Sequence, residues 1–369
     1  MKLKTPLFIL SIVAVFTFSS CVSLQVNENE VTVTETTVKK PKNIIFLVGD
    51  GMGLSQVSSS IYYNTNKPNF ERFSTIGLSK TSSSSDLITD SAAGATAFSI
   101  GLKTYNGAIG VNKDTIAVET ISEKLSKRGF GIGLISTSSI VHATPASFFA
   151  HSKSRRLYDD IAAFLPTSNV DFFAGGGLKF FNKRKDGKNL IEALRKNGYD
   201  INTTELTETV SDKKQGFLLA EDGMPKMIEG RGNFLEKATK LALQKLSKND
   251  TGFFLMVEGS QIDWGGHNNE ADYLISELID FDATLGAALD FAKQNGETLV
   301  IVTADHETGG FTLSSDSGDY NKIKPTFSTS GHSGTMVPVF AEGPGATLFN
   351  GIYENTEIYY KMLSLLSEK

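Results

Sequence analysis

The sequence is poor in cysteine, with one Cys among its 369 residues, and it holds one Trp and nine Pro. A single cysteine excludes an intrachain disulfide and a metal site built from thiolates. With 36 Lys+Arg against 41 Asp+Glu, the net charge is −5, so the chain lacks the positive charge that nucleic-acid binding needs. A hydrophobic content of 40% excludes a disordered or collagen-like chain. The composition is typical of a globular α/β protein, and we expect no nucleic-acid partner.

The N-terminal apolar run, residues 7–18, is too short to span a bilayer as a helix. It follows two lysines and precedes Cys21, an order typical of a signal peptide. The segment resembles a bacterial lipobox, with Phe18 where such motifs usually carry Leu or another aliphatic residue. We predict a lipoprotein-type signal peptide over residues 1–21, export to the periplasm or cell envelope, and attachment to the membrane surface through a lipid on Cys21. The alternative is an ordinary signal peptide with an incidental cysteine.

The remaining chain divides into a short polar segment and a long body. Residues 22–42 contain no aromatic residue that could build a core, and we predict a polar tether. We predict a single domain over residues 43–369, and we interpret the more charged segment at about 153–250 as an insertion within it.

Hydrophobic patterning in the body predicts alternating strands and helices. Short apolar runs predict strands at residues 44–48, 130–135, 252–257, 299–302 and 336–341. Helical spacing of apolar residues predicts helices at residues 118–125, 234–246, 273–292 and 352–366. Such alternation predicts an α/β fold, with a mostly parallel central sheet and helices on both faces.

Three of the predicted strands lead into side chains that bind metals. Asp50 follows the first strand, Glu258 ends another, and Asp305 with His306 follows a third. The carboxyl ends of parallel strands lie at one edge of a sheet, where α/β folds place their sites. The spacing therefore predicts one shared polar site.

A further pair of candidate ligands is Asp263 and His267. They are four residues apart, so they share one face if the segment is helical. Carboxylate and imidazole ligands without thiolates suit zinc in catalytic sites, and they leave magnesium possible where only oxygens meet.

Ser91 opens a predicted helix, where free backbone N–H groups and the positive helix end favour an anion. The alternative is that Ser91 only caps the helix. No Gly-x-Ser-x-Gly elbow surrounds it, so a serine-hydrolase triad is unsupported. No Walker-type loop occurs either, which argues against nucleotide-driven chemistry.

Together these residues resemble the alkaline phosphatase family, in motifs that cover nearly all of the body. The matching stretches are VGDGMG at 48–53, TDSAAGAT at 89–96, HATPA at 142–146, VEGSQIDWGGH at 257–267, TADH at 303–306 and GH at 331–332. The resemblance implies a three-layer α/β sandwich and a homodimer. It also implies hydrolysis of phosphate monoesters at alkaline pH through a phosphoserine intermediate, with release of inorganic phosphate.

The resemblance further implies two zinc ions and one magnesium ion. The implied ligands are Asp263, His267 and His332 for the first zinc, Asp50, Asp305 and His306 for the second, and Asp50, Thr144 and Glu258 for the magnesium. Ser91 is then the nucleophile and Arg155 the phosphate-binding arginine, oriented by Asp90. Arg156 is the adjacent alternative, but the spacing from Thr144 favours Arg155.

Two positions beside the third metal differ among family members. Some carry Asp and Lys where this chain has His142 and Trp264, whereas others carry His and Trp as here. Because a neutral imidazole holds the hydration shell of magnesium less well than a carboxylate, we expect a looser third site that also accepts zinc. His151 has no counterpart among the ligands, and we interpret it as structural.

Three other functions fit the sequence less well than phosphomonoester hydrolysis. A sulfatase requires a Cys/Ser-x-Pro-x-Arg motif, and the chain lacks both the proline and the arginine after Ser91. A phosphodiesterase is a closer alternative, although Arg155 facing a terminal phosphate favours monoesters. A metal-loaded surface binding protein without turnover would be expected to lack a nucleophile or a ligand, and none is missing here.

Overall fold

The structure is a computed structural model that describes residues 39–366. The predicted signal peptide, with Cys21, and nearly all of the predicted tether lie outside the described residues. Among the described helices, none has both the length and the apolar character that a bilayer crossing requires.

Strands and helices alternate along most of the described chain. The strands are β1 (Asn43–Gly49), β2 (Thr75–Lys80), β3 (Gly131–Ser139), β4 (Phe172–Gly176), β5 (Tyr199–Asn202), β6 (Lys214–Leu218), β7 (Phe253–Gly259), β8 (Thr298–Thr303), β9 (Glu307–Thr308), β10 (Thr312–Asp316), β11 (Asp319–Thr326), β12 (His332–Ser333), β13 (Val337–Glu342) and β14 (Gly351–Glu354). The helices are α1 (Leu54–Tyr63), α2 (Ser91–Ile100), α3 (Ile121–Lys127), α4 (Ala143–Ala146), α5 (Tyr158–Ala162), α6 (Lys179–Asn182), α7 (Leu190–Lys196), α8 (Phe234–Leu246), α9 (Gln261–Asn268), α10 (Ala271–Asn295) and α11 (Asn355–Leu365).

Ten of these strands form one central sheet in the order β14-β2-β13-β8-β1-β7-β3-β4-β6-β5. Strand β13 pairs antiparallel with both of its neighbours, and every other pairing in this sheet is parallel. The predicted α/β fold with a mostly parallel sheet is confirmed.

Side chains of the central strand β1 alternate between two hydrophobic cores, one on each face of the sheet. Ile44 and Phe46 join a core that includes α2, α3 and α11, whereas Ile45 and Leu47 join a core that includes α8 and α10. All seven residues of β1 are buried, as expected for a strand covered on both faces. Ile358 of α11 belongs to the first core. The result is a three-layer arrangement.

Two helix predictions need correction at their N-terminal ends. The predicted closing helix begins as β14, which pairs in parallel with β2, and only Asn355–Leu365 is helical. The helix predicted from residue 118 begins at Ile121, because Thr120 and Glu123 form a capping box there. Strand pairing and capping, rather than apolar spacing, set these boundaries.

The segment interpreted as an insertion, residues 153–250, contributes β4, β5 and β6 to one end of the central sheet. It also supplies α8, whose Leu235 and Leu246 pack in the second core. The segment therefore belongs to the layered body, while the domain boundaries stay predictions.

Register places the candidate ligands at one edge of the sheet. Val48 at the end of β1 is paired with Glu258 of β7 on one side and with Thr303 of β8 on the other. Asp50 and Asp305 each lie two residues beyond these pairs. Three neighbouring parallel strands thus deliver their acidic side chains to the same place.

Candidate metal centre

Ser91 is the first residue of α2, and its side chain is buried. The cap of this helix is Asp90, whose Oδ1 accepts a hydrogen bond from the backbone N of Ala93 at 3.0 Å. The alternative that Ser91 serves as the cap is therefore wrong. The hydroxyl of Ser91 lies 3.2 Å from Nε2 of His306 and 3.5 Å from Oδ1 of Asp50.

The first group of candidate ligands is Asp263, His267 and His332. Both Asp263 and His267 lie on α9, and Nε2 of His267 is 3.4 Å from Oδ1 of Asp263. Nε2 of His332 is 3.7 Å from the same carboxylate oxygen and 3.1 Å from Nε2 of His267. His332 is distant from Asp263 and His267 in the sequence, but the ligand atoms of all three lie within 4.8 Å of one another and could hold one cation.

Backbone carbonyls orient both imidazoles of this group. Nδ1 of His267 lies 2.6 Å from the carbonyl oxygen of Ser330, and Nδ1 of His332 lies 2.8 Å from that of Thr89. A carbonyl only accepts hydrogen bonds, so each Nδ1 carries the proton. Each Nε2 then holds a lone pair, and two lone pairs 3.1 Å apart repel unless a cation lies between them. The donor set therefore fits a metal ion.

The second group is Asp50, Asp305 and His306, all fully buried. Nε2 of His306 lies 3.5 Å from Oδ1 of Asp50 and 3.4 Å from Oδ2 of Asp305. Oδ2 of Asp50 and Oδ2 of Asp305 have no hydrogen-bond partner. Asp263 also reaches this group, since its carboxylate, Asp50 and His306 offer ligand atoms within 4.8 Å of one another. Buried carboxylate oxygens that accept no hydrogen bond are costly unless another partner is present, and they fit a site for a divalent cation.

The third group is formed by Asp50, His142 and Glu258, whose ligand atoms also lie within 4.8 Å of one another. Oε1 of Glu258, Oγ1 of Thr144 and Nδ1 of His142 are buried without a hydrogen-bond partner. Asp50 is shared with the second group, so it can bridge two cations. The unpartnered oxygens of Glu258 and Thr144 fit an oxygen-preferring ion such as magnesium.

The protonation of these ligand groups reflects the clustering of several carboxylates where they are buried away from solvent. Burial raises the pKa of Glu258 to about 7. Burial, together with the charges of neighbouring carboxylates, raises the pKa of Asp50 well above its ordinary value. Burial lowers the pKa of His306 well below its ordinary value. A bound cation would lower the raised pKa values of Glu258 and Asp50, because it favours the ionised carboxylate, and would lower the pKa of His306 further, because it favours the neutral imidazole.

Arg155 lies beside the nucleophile candidate and is fixed by one carboxylate. Its Nη1 donates to Oδ2 of Asp90 at 3.0 Å, and its Nη2 is 3.5 Å from Nε2 of His142. Oδ1 of Asp90 also accepts from the backbone N of Gly107 at 3.0 Å. Arg156 is exposed, whereas Arg155 is hydrogen-bonded to Asp90.

His142 and Trp264 are in contact with each other. The rings of His142 and Trp264 meet edge to face, with centroids 5.9 Å apart and planes at 80°. His151 instead has both ring nitrogens engaged, with the carbonyl of Gly110 at 2.6 Å and with Glu123 at 3.1 Å. This environment is consistent with the structural interpretation of His151.

Two hydroxyl residues of the site were missed in the sequence. Thr308 donates to Oδ1 of Asp263 at 2.5 Å and lies 3.2 Å from Nδ1 of His306. Ser138 donates to Glu258 at 3.3 Å. The signal for Ser138 was present as a run of Ser and Thr at residues 136–139 that ends an apolar strand, whereas Thr308 gave none beyond its distance of two residues from His306.

Gly51 allows the first and second groups to approach each other. It has a positive φ of 72°, and a Cβ there would lie 2.8 Å from both Cα of Asp263 and Oγ1 of Thr308. Glycine therefore follows Asp50 for conformational and for steric reasons.

A serine at a helix N-terminus, beside a fixed arginine and clustered carboxylates and imidazoles on an α/β sheet, is the arrangement of metal-dependent phosphoryl-transfer enzymes. Comparison with known proteins defines the family more closely. The family model described as alkaline phosphatase matches residues 41–326. The chain belongs to the alkaline phosphatase family, and its activity is the hydrolysis of phosphate monoesters.

The relatives include proteins similar over most of the chain. Alkaline phosphatase 3 of Bacillus subtilis (strain 168) is 35% identical over 86% of this chain and 87% of its own length. The structure of alkaline phosphatase from the Antarctic bacterium TAB5 is 56% identical, has a TM-score of 0.88, and covers 89% of this chain and 98% of its own. A variant of that enzyme with one histidine replaced by glutamate is 55% identical, has a TM-score of 0.88, covers 89% of this chain and 99% of its own, and has Mg bound in its M3 site.

Proposed function

We propose that this phosphomonoesterase transfers the phosphoryl group of its substrate to Ser91 and then to water. The observation that carries the proposal is the position of the Ser91 hydroxyl, 3.2 Å from Nε2 of His306 at the margin of the buried ligand groups. Oγ loses its proton and forms a bond to phosphorus as the bond between phosphorus and the ester oxygen breaks, and the ester oxygen takes up a proton and leaves as the alcohol. Water then attacks the phosphoserine, and inorganic phosphate departs as Oγ regains its proton.

The chain's own ligands fit two zinc ions and one magnesium ion. We assign Asp263, His267 and His332 to the first zinc, Asp50, Asp305 and His306 to the second, and Asp50, Thr144 and Glu258 to the magnesium. The unpartnered buried oxygens support this assignment, as does the Mg in the M3 site of the related variant. Bound metal ions would supply stabilisation of the serine alkoxide and of the charge on the leaving and attacking oxygens.

Arg155 and the start of α2 would bind the non-reacting phosphate oxygens. Because Nη1 of Arg155 is engaged by Asp90, the guanidinium is held in one orientation and Nη2 remains directed toward the site. A planar guanidinium accommodates phosphate oxygens with little loss of conformational entropy. The N-terminus of α2, a helix of 10 residues, adds favourable interaction with negative charge.

The direct test is hydrolysis of p-nitrophenyl phosphate at alkaline pH, before and after chelation, followed by addition of zinc and magnesium. We expect activity to vanish on chelation and to return with zinc. Ser91→Ala should lower kcat by at least about a thousandfold without loss of bound zinc, since Ser91 does not cap α2. Ser99→Ala, on the same helix, is the matched control. A Ser91→Ala variant that retains most of its activity would exclude the phosphoserine route.

We further propose that the protein is exported, that Cys21 carries a lipid, and that the enzyme is a homodimer. Export and lipidation are supported by the sequence around Cys21, and dimerisation by the family resemblance alone. Replacement Cys21→Ser should release the full chain from the membrane fraction into the soluble periplasmic or external fraction. Sedimentation velocity of the mature enzyme tests the dimer. A parent enzyme found in the soluble fraction, with no change on Cys21→Ser, would favour the ordinary signal peptide.

A further inference from the structure

Gly223 passes directly against the indole of Trp264. A Cβ at Gly223 would lie 2.6 Å from Cη2 and 2.9 Å from Cζ3 of that ring. The backbone of Gly223 is outside the left-handed region, so contact with the indole, and not backbone conformation, is what requires glycine here. Trp264 is half-buried and rigid, with only two side-chain torsions.

The backbone on either side of Gly223 cannot easily retreat from this contact. The N–H of Met224 donates to the carbonyl of Thr137 at 3.0 Å, and its carbonyl accepts from Nε2 of Gln261 at 2.7 Å. The carbonyl of Ala220 accepts from the N–H groups of Gly177 and Leu178, each at 2.9 Å. Gly223 is therefore held between two fixed points.

A buried charge cluster anchors the C-terminal part of the same segment. The side chain of Arg231 is 1% exposed and pairs with Glu277 and Asp280 on α10. Nη1 of Arg231 also donates to the carbonyl of Pro225 at 3.1 Å, and Glu277 accepts from the N–H of Met227 at 2.9 Å. Since a buried pair of this kind is strongly destabilised when one partner is lost, the segment is tied to α10.

The same indole also contacts the third ligand group. Trp264 meets His142 edge to face at 5.9 Å, and His142 shares a cluster with Asp50 and Glu258. The indole thus contacts both the Gly223 backbone and a candidate ligand ring. A displacement of the indole by a side chain at Gly223 would be transmitted to His142.

We propose that Gly223 is a positioning residue for the third metal position. By leaving room for the indole of Trp264, it fixes where His142 stands relative to Asp50 and Glu258, and so sets the affinity of that position for a divalent cation. This inference rests on the third metal position assigned above. The contact between Gly223 and Trp264 adds to that assignment two residues that are not themselves metal ligands.

The single tryptophan of the chain makes the inference measurable, because all tryptophan emission comes from Trp264. Mg²⁺ is titrated into the zinc-loaded enzyme and the emission is followed. We expect Gly223→Ala to shift the half-saturating Mg²⁺ concentration by about tenfold, as for other residues that orient metal ligands. The control is Asp222→Ala, which removes an exposed side chain next to Gly223 and should leave half-saturation unchanged. An unchanged titration in a folded Gly223→Ala enzyme overturns the inference.

A double-mutant cycle separates positioning from a general loss of stability. Trp264→Phe removes both indole atoms that a Cβ at Gly223 would meet. In that background Gly223→Ala should have no further effect on Mg²⁺ affinity measured by calorimetry. An equal effect in both backgrounds overturns the inference, and the double variant keeps the test available if Gly223→Ala alone does not fold. If the parent enzyme binds no Mg²⁺ by either method, the assigned third metal position fails, and this inference with it.

Discussion

Asp90 and Arg155 are joined by a hydrogen bond of 3.0 Å between Oδ2 and Nη1, while the other oxygen of Asp90 caps the helix that begins with Ser91. One carboxylate therefore sets the start of the nucleophile's helix and the direction of the guanidinium. The pair is largely sequestered, with about a fifth of each side chain exposed. Its two roles can be separated by substitution.

Replacement Asp90→Asn should retain the helix cap, because asparagine is as good a cap as aspartate. It removes the negative charge that holds Arg155, so we expect affinity for inorganic phosphate to fall by about tenfold, as for loss of one charge-assisted hydrogen bond. The inhibition constant of phosphate measures this effect. Asp90→Ala should show the same loss and, in addition, about 1 kcal/mol lower stability from the missing cap. Unchanged phosphate inhibition in Asp90→Asn would show that Asp90 does not orient Arg155.

Removal of divalent cations should lower the thermal stability of the enzyme. Asp50, Glu258 and Asp305 are fully buried, and burial and the charges of Asp305 and Glu258 raise the pKa of Asp50. A cation that binds only the folded state, and is present at about a thousand times its Kd, adds roughly 4 kcal/mol to the free energy of unfolding. We expect calorimetry to show a Tm several degrees lower after chelation and restored by zinc. Ser91→Ala, which keeps every assigned ligand, should show the same shift. A Tm indifferent to verified metal removal would contradict the assignment.

His142→Asp should tighten magnesium binding at the third position. A carboxylate in place of a neutral imidazole holds the hydration shell of magnesium better. Burial and the charge of Arg155 lower the pKa of His142 to about 3, so the present side chain is neutral at any working pH. Magnesium titration of the zinc-loaded parent and variant tests the change, with His151→Asp, at a histidine outside the ligand groups, as a control. Tight magnesium binding that is the same in the parent and in His142→Asp would refute the looser third site.

The pair Glu123 and His151 predicts a pH-dependent contribution to stability. Burial alone lowers the pKa of His151, but its hydrogen bonds to Glu123 and to the carbonyl of Gly110 outweigh burial and raise the pKa above its ordinary value of 6.5. A group whose pKa is higher in the folded state than in the unfolded state stabilises the protein fully at pH values below its unfolded-state pKa. This stabilisation is lost as the pH rises through the folded-state pKa of the group. The contribution is therefore present below about pH 6.5 and lost in the alkaline range.

The measurement is the Tm of the parent and of His151→Gln from about pH 6 to about pH 9. The advantage of the parent should be largest at the acidic end and shrink as the pH rises. Glu123→Gln should lose the same increment, while keeping the capping box, since glutamine also serves at that position. A constant difference between parent and variant across the range would contradict the charged pair.

The sequence could predict the central strands and the convergence of Asp50, Glu258 and Asp305, because apolar runs and parallel geometry place strand ends at one edge. The i, i+4 spacing likewise predicted that Asp263 and His267 share a face of α9. These predictions rest on local periodicity, which a single sequence displays. Assignment of the individual ligands depended on the family resemblance, and their chemical roles stay proposals.

Other features depend on long-range pairing that no local pattern encodes. Strand β14 lies within a helix-like apolar pattern and becomes a strand only because β2 offers it a partner. The direction of β13, antiparallel to both neighbours, also follows from topology. The contact of Gly223 with Trp264 joins residues 41 positions apart in sequence, and glycine alone gives no sign of its partner.

Strand β1 enters the body at Asn43 and ends beside Asp50, so the first residue of the strand is separated from the ligand groups by its full length. At about 3.3 Å per residue, that distance is roughly 20 Å through the sheet. A bead, carrier protein or affinity tag joined ahead of this strand would therefore meet the body at the edge remote from Ser91. Immobilisation ahead of β1 should leave access of substrate unobstructed, whereas a linker inserted after β1, β7 or β8 would disturb the ligand groups at the ends of these strands.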